Sequence, residues 1–263
     1  MKSQISNFFN KLGSPADQVI PVALGSLDTK EKILKRDLLL GIIPGVFWAI
    51  ATSARSSVIH PSCPSDLAHC QKSFVFFLDQ LSIAFQIEGA DDFSLFAQNF
   101  SIGWVILVPM TWSLIRSLRA KRFILPWPEM ASDFLIALQV IFWNGFLTEM
   151  SHWMSARPRP FVYENPQVLG TEPSHYTSFY SGHTSFVAAS QIITLLILIS
   201  RRAPLALVLI DLAAAEVLIF STGYFRILAG RHFLTDVLAG AVAGTFCALI
   251  LFGCHSKKSF SRT

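Results

Sequence analysis

The chain has 263 residues, 52% of them hydrophobic and 14% charged, with 23 phenylalanines and a mean hydropathy of +0.49. That balance excludes an ordinary soluble domain and describes a protein built for a membrane. The formal charge of +4 sits on lysines and arginines beside apolar runs, a pattern of membrane orientation rather than nucleic-acid binding, and no nucleic-acid motif accompanies it.

Residues 1–36 mix both charges, and their apolar patch at 19–27 is interrupted by Pro21 and too short to span. The stretch reads as a cytoplasmic lead-in, and no cleavable leader is expected after Lys2. Spanning takes about twenty apolar residues. Runs of that kind lie near 38–54, 97–115, 130–150, 184–200, 204–221 and 234–253. They predict an all-α membrane protein: a six-span bundle over 37–254 with short extramembrane helices and a basic tail at 255–263. No internal repeat or second domain interrupts it.

Charge selects the orientation. Lys30, Lys32, Lys35 and Arg36 precede the first run; Arg116, Arg119, Lys121 and Arg122 follow the second; Arg201 and Arg202 follow the fourth; Lys257, Lys258 and Arg262 follow the last. All fall on one face, which the positive-inside rule makes cytoplasmic together with both termini. The expected location is the cell (inner) membrane.

The outer loop after the first run holds Cys63 and Cys70, on the side where a disulfide can form; a bridge and two free thiols both stay open. With His69 they lack a fourth ligand for a tetrahedral metal site. Cys247 and Cys254 are expected to be packed or lipid-facing thiols. Phe74, Phe77, Leu78, Leu81 and Phe85 recur at helical spacing opposite Asp79, Gln80 and Gln86, predicting an amphipathic helix at the outer interface. Asp91 and Asp92 read as a solvated turn. Asp133, Glu149, Asp211 and Glu216 are costly in lipid and are expected to face the bundle interior or the headgroups. Gly240 and Gly244 offer a small-residue face for close helix packing.

Between His152 and Asp236 stand clusters of another kind. HWMSARPRP carries His152, Arg157 and Arg159; YSGHTS carries Ser181, Gly182 and His183; RILAGRHFLTD carries Arg226, His232 and Asp236. All lie on the face opposite the basic loops. A phosphoryl group in transfer spreads negative charge over its equatorial oxygens, which fixed cations and backbone donors can meet. Arg159 and Arg226 supply the first. Ser181 and Gly182, opening an apolar run, supply the second as a helix N-terminus. Two histidines remain for two tasks, attack on phosphorus and protonation of the leaving oxygen. Asp236, four residues after His232, is placed to fix the tautomer of His232, which makes His232 the expected nucleophile and His183 the expected general acid.

In spacing, these clusters resemble the signature of the type 2 phosphatidic acid phosphatase superfamily, membrane lipid phosphatases related to vanadium haloperoxidases and glucose-6-phosphatase. Its pattern is KxxxxxxRP, PSGH and SRxxxxxHxxxD. Here His152 stands for the lysine, Tyr180 for the proline and Phe225 for the serine. The resemblance implies a phosphohistidine on His232, leaving-group protonation by His183, and phosphate binding by Arg159, Ser181, Gly182 and Arg226, with His152 at the lysine's place among the phosphate ligands. It implies no cofactor and no metal. The expected partner is a phosphorylated membrane lipid whose headgroup enters sideways from the bilayer; neither the lipid nor an oligomeric state follows. A phosphotransferase on the same residues, a vanadate-dependent haloperoxidase and a non-catalytic lipid-binding or transport relative are the alternatives.

Overall fold

The computed structural model describes residues 27–63, 70–120 and 126–260; the expectations for residues 1–26, for His69 and for the tail beyond Phe260 lie outside them. The chain divides into a leading unit up to Asp37, helical where described, and a unit from Leu38 onward.

Long helices α1 (Leu27–Val58), α2 (Ala90–Arg119), α3 (Trp127–Ser155), α4 (Gly182–Ser200), α5 (Leu205–Leu228) and α6 (Leu234–Phe260) account for most of the chain. Each carries an apolar stretch long enough to cross a membrane, making six candidate spans. In lipid the backbone must satisfy its own hydrogen bonds, so such runs fold as helices and tolerate Pro44 and Pro109 inside them. Punctuation is local: α3 starts on Pro126 and ends at Ala156, whose φ of 39° turns the chain toward Pro158.

The helices alternate in direction around α4. Its apolar window is 67% buried, against 17% for α1 and α5, which makes α4 the axis of the bundle. Val105, Ile136, Val140, Ala189, Ile193 and Ile197 form the core around it. Gly240 and Gly244 lay α6 directly on α4: a β-carbon at 240 would stand 2.6 Å from the Ser181 carbonyl oxygen, and one at 244 would run into that of Ser185. The small-residue face is therefore used inside the bundle, and α4 and α6 run side by side in the same direction.

At one end, Arg201 grips Asp133 through Nη2 at 2.7 Å, Trp112 Nε1 donates to the Arg201 carbonyl at 3.3 Å, and Arg116 pairs with Glu129. The other end holds the loops that follow α1, α3 and α5. Cys63 and Cys70 are bridged there, and the bridge packs with Ile59, Val162 and Tyr176. Tyr176 donates its hydroxyl to the Gly170 carbonyl at 2.7 Å and accepts from Cys63 N at 2.9 Å.

Two expectations are corrected. The amphipathic helix at 74–86 is instead a pair of single 3₁₀ turns, Lys72–Phe74 and Gln80–Ala84. Phe74, Phe77 and Leu81 point outward while the Asp79 carboxylate points in, because Asp79 finds its partners in the bundle. Among the intramembrane acids, Asp133, Glu149 and Asp211 are buried, the last accepting from Trp104 Nε1 at 2.8 Å. Glu216 is exposed on α5.

Candidate active site

Each cluster straddles a helix end at the same pole of the bundle. Arg159 follows α3 in extended backbone. Its N–H donates to the His175 carbonyl at 2.8 Å and its Nη2 to Thr177 Oγ1 at 2.9 Å. Arg226 sits in the last turn of α5, since that helix continues past residue 221 to Leu228. It pairs with Asp91 and donates to Ser94 Oγ at 3.3 Å. The Nε atoms of Arg159 and Arg226 are both buried without a partner. Two guanidinium edges left open this way suit an anion that accepts from both.

His232 lies in the turn between α5 and α6. Gly230 makes that turn possible, with φ of 65° and the Phe85 carbonyl where a β-carbon would be. The His232 ring is 2% exposed, and its Nδ1 stands 2.7 Å from the Ser178 carbonyl oxygen. A carbonyl only accepts, so Nδ1 carries the proton and Nε2 the lone pair. Burial first, then the Arg226 and Arg159 guanidiniums, with His183 also adding, hold the imidazole well below its ordinary range. It is neutral at working pH, the state a nucleophile requires. Arg159, His183 and Arg226 thus lie near enough to His232 to disfavour its charge.

Asp236 corrects the expected pairing. His232 precedes α6, so four-residue helical spacing does not stack the two side chains, and Asp236 Oδ2 remains 3.9 Å from His232 Nδ1, beyond a hydrogen bond. Asp236 instead accepts from Ser178 Oγ at 2.5 Å, Phe233 N at 2.9 Å and Arg157 Nη1 at 2.5 Å. Through Ser178, whose carbonyl accepts from His232 Nδ1, it is linked to His232 at one remove.

Ser181 caps α4 and is fully buried; its N–H donates to the Asp236 carbonyl at 3.0 Å and its hydroxyl pairs with that of Thr184 at 2.9 Å. Gly182 and His183 open the first turn, where backbone N–H groups have no intrahelical acceptor. A β-carbon on Gly182 would stand 3.2 Å from Thr148 Cγ2. Tyr180, in the proline's place, has its phenol pushed up to about 12 by burial and so stays protonated.

His152 is set apart from this constellation. Its Nε2 stands 3.2 Å from the Tyr180 carbonyl oxygen and its Nδ1 is 3.9 Å from Glu149, whose carboxylate is held by Arg55. Phe225 packs on Phe93 with ring centroids 4.1 Å apart. His175 donates from Nδ1 to the Leu169 carbonyl at 2.6 Å and packs edge-on to Phe161. Beside Asp91 a cavity of about 370 Å³ opens, lined in part by Phe161, His175 and Arg231.

Several contributors carry no signal in the sequence. Asp91, read there as solvated, pairs with both Arg226 and Arg231. Buried Asp79 accepts from Arg157 Nη2 at 2.8 Å, Thr235 N at 3.0 Å and Thr235 Oγ1 at 2.6 Å. Ser178 was recognisable only as one more serine near the second cluster. Among the described residues, no group of three or more His, Cys, Asp or Glu converges as a metal site.

No curated protein and no solved structure matches the chain significantly. Residues 133–260, which include every residue of the three clusters, do match the sequence model of the PAP2 superfamily. With those residues gathered at one pole of a six-span bundle, the stretch from 133 to 260 belongs to the PAP2 superfamily.

Proposed function

We propose that this multi-pass membrane protein is a lipid phosphatase that hydrolyses a phosphomonoester or diphosphate headgroup at the extracytoplasmic face through a phosphohistidine on His232. One observation carries the reading: a buried neutral His232 with Nε2 free, coupled to two arginines whose Nε atoms lack partners. Nε2 attacks phosphorus, and the bond to the leaving oxygen breaks as His183 gives that oxygen a proton. Water then attacks the phosphohistidine, its proton returning to His183, and inorganic phosphate leaves with Nε2 free again. Arg159, Arg226 and the N-terminus of α4 at Ser181 and Gly182 hold the phosphoryl oxygens throughout.

Two features support the outer placement. The Cys63–Cys70 bridge belongs to the pole that carries the site, and disulfides persist in oxidising compartments. Arg116, Arg119, Arg201 and Arg202 belong to the opposite pole, as cytoplasmic basic residues do. A site at the end of six spans supports a lipid substrate, since a headgroup can reach it while its tail stays in the bilayer.

The test is phosphate release from vesicles doped with phosphatidic acid, phosphatidylglycerol phosphate or a polyprenyl diphosphate, by the purified protein and its His232→Ala variant. Release from at least one lipid is expected, with the variant slower by about a thousandfold or more. Equal release by the variant would remove His232 from the chemistry.

A further inference from the structure

We propose that Asp79, on the outer loop between α1 and α2, is a positioning residue for His232 that acts through Arg157 and the first turn of α6. The inference rests on the reading of His232 as the nucleophile. It concerns a residue outside the stretch matched to the superfamily, with four spans between it and the histidine in sequence.

Asp79 is 1% exposed, in a loop that turns Phe74 (66% exposed), Phe77 (67%) and Leu81 (67%) outward and packs Val75 and Ile83 against Phe233. A buried carboxylate is tolerated only where donors surround it, and Asp79 has the Thr235 N–H, the Thr235 hydroxyl and the Arg157 guanidinium. The contacts to Thr235 hold the start of α6, three residues beyond the nucleophile. Arg157 continues the line. It donates to Asp236 at 2.5 Å and to Thr235 Oγ1 at 3.0 Å, and its guanidinium lies 4.1 Å over the Phe233 ring. Asp236 then holds Ser178, whose carbonyl orients His232. Asp79 thus terminates a chain of contacts that begins at the reacting ring.

Charge gives the arrangement a second role. When neutral His232 bonds to phosphorus with Nδ1 still protonated, its ring becomes cationic. On the side of the phosphate it faces Arg159, Arg226 and His183, all of which oppose that charge. Behind it stand Asp236, Arg157 and Asp79, two carboxylates about one guanidinium, with a formal sum of minus one. Neutralising Asp79 brings that sum to zero and leaves the cationic ring without a net counter-charge.

The experiment compares Asp79→Asn, Asp79→Glu and His232→Ala with wild type in the same vesicles, measuring kcat, KM and pH profile. Inhibition by inorganic vanadate serves as the probe of a folded phosphate site. Asp79→Asn should lose between about ten- and a hundredfold in kcat, with KM and vanadate inhibition little changed and the acid limb of the profile moved to lower pH. Asp79→Glu should recover part of the kcat and keep the limb near its wild-type position. Should Asp79→Asn fail to bind vanadate, the Glu variant decides: kcat recovery with an unmoved limb supports the assignment, and a loss equal to that of Asn overturns it. Unchanged kcat and limb in Asp79→Asn, with His232→Ala inactive, overturns it too while leaving the phosphatase reading intact. Activity retained by His232→Ala would instead sink that reading.

Discussion

His232 illustrates how one side chain's environment fixes its chemistry. Its folded pKa is depressed by burial and by Arg226 and Arg159, so the neutral imidazole persists as pH falls below the ordinary value of about 6.5. The acid limb of kcat/KM, which reports the free enzyme, should accordingly lie below that value. Arg159→Gln removes a positive charge, which raises the pKa of His232, and should carry the limb to higher pH as KM rises; a limb that stays put would detach Arg159 from the histidine. His152 presents the opposite case. Its Nε2 is directed at the Tyr180 carbonyl, in the peptide leading into Ser181. His152→Lys should leave the basic limb of the pH profile where wild type has it, and a limb displaced to higher pH would return His152 to the phosphate. The titratable clusters were legible because phosphate chemistry restricts residue types and spacing. Asp79 and Asp91 were not, because a carboxylate in a loop looks solvated until its partner, here Arg157 or Arg226, folds against it from far along the chain.

The elements were legible in proportion to their apolar length. Six runs became six spans, but their ends extended further than hydropathy implied, since helical hydrogen bonding continues into polar residues: α5 carries Arg226, and α2 begins at Ala90. The loop at 72–84 misled because helical periodicity in five apolar residues also describes side chains reaching outward from short turns around a buried acid. The close approach of α4 and α6 gives a sharper expectation. A β-carbon at 244 meets backbone of α4, at Ser185 and, 3.0 Å away, Ala189 N, and backbone cannot rotate aside as a side chain does. Gly244→Leu should therefore cost about 3 kcal/mol or more of stability, read as a lowered midpoint of thermal unfolding in detergent. Gly103→Leu, where an added β-carbon meets nothing within 4 Å, should change the midpoint little. Equal midpoints for the two variants would show that the helices have room to separate.

For the whole molecule, orientation is the property on which the rest depends. A reporter joined after Lys258 is expected in the cytoplasm and one inserted near Asp66 outside; a cytoplasmic reporter at Asp66 would invert the bundle and its site. Composition alone pointed to a membrane and the basic segments to an expected direction, whereas neither bears on the identity of a substrate. One feature of the assembly reaches beyond side chains. Because α4 and α6 run the same way and both begin at the catalytic pole, two helix N-termini converge there. Their aligned peptide dipoles amount to about half a positive charge each. This part of the electropositive potential has no pKa and no rotamer, and no substitution that leaves the two helices standing can delete it. A variant stripped of Arg159 and Arg226 should thus still hold an oxyanion weakly, with a residual affinity that varies little across the pH range in which the anion's own charge is constant.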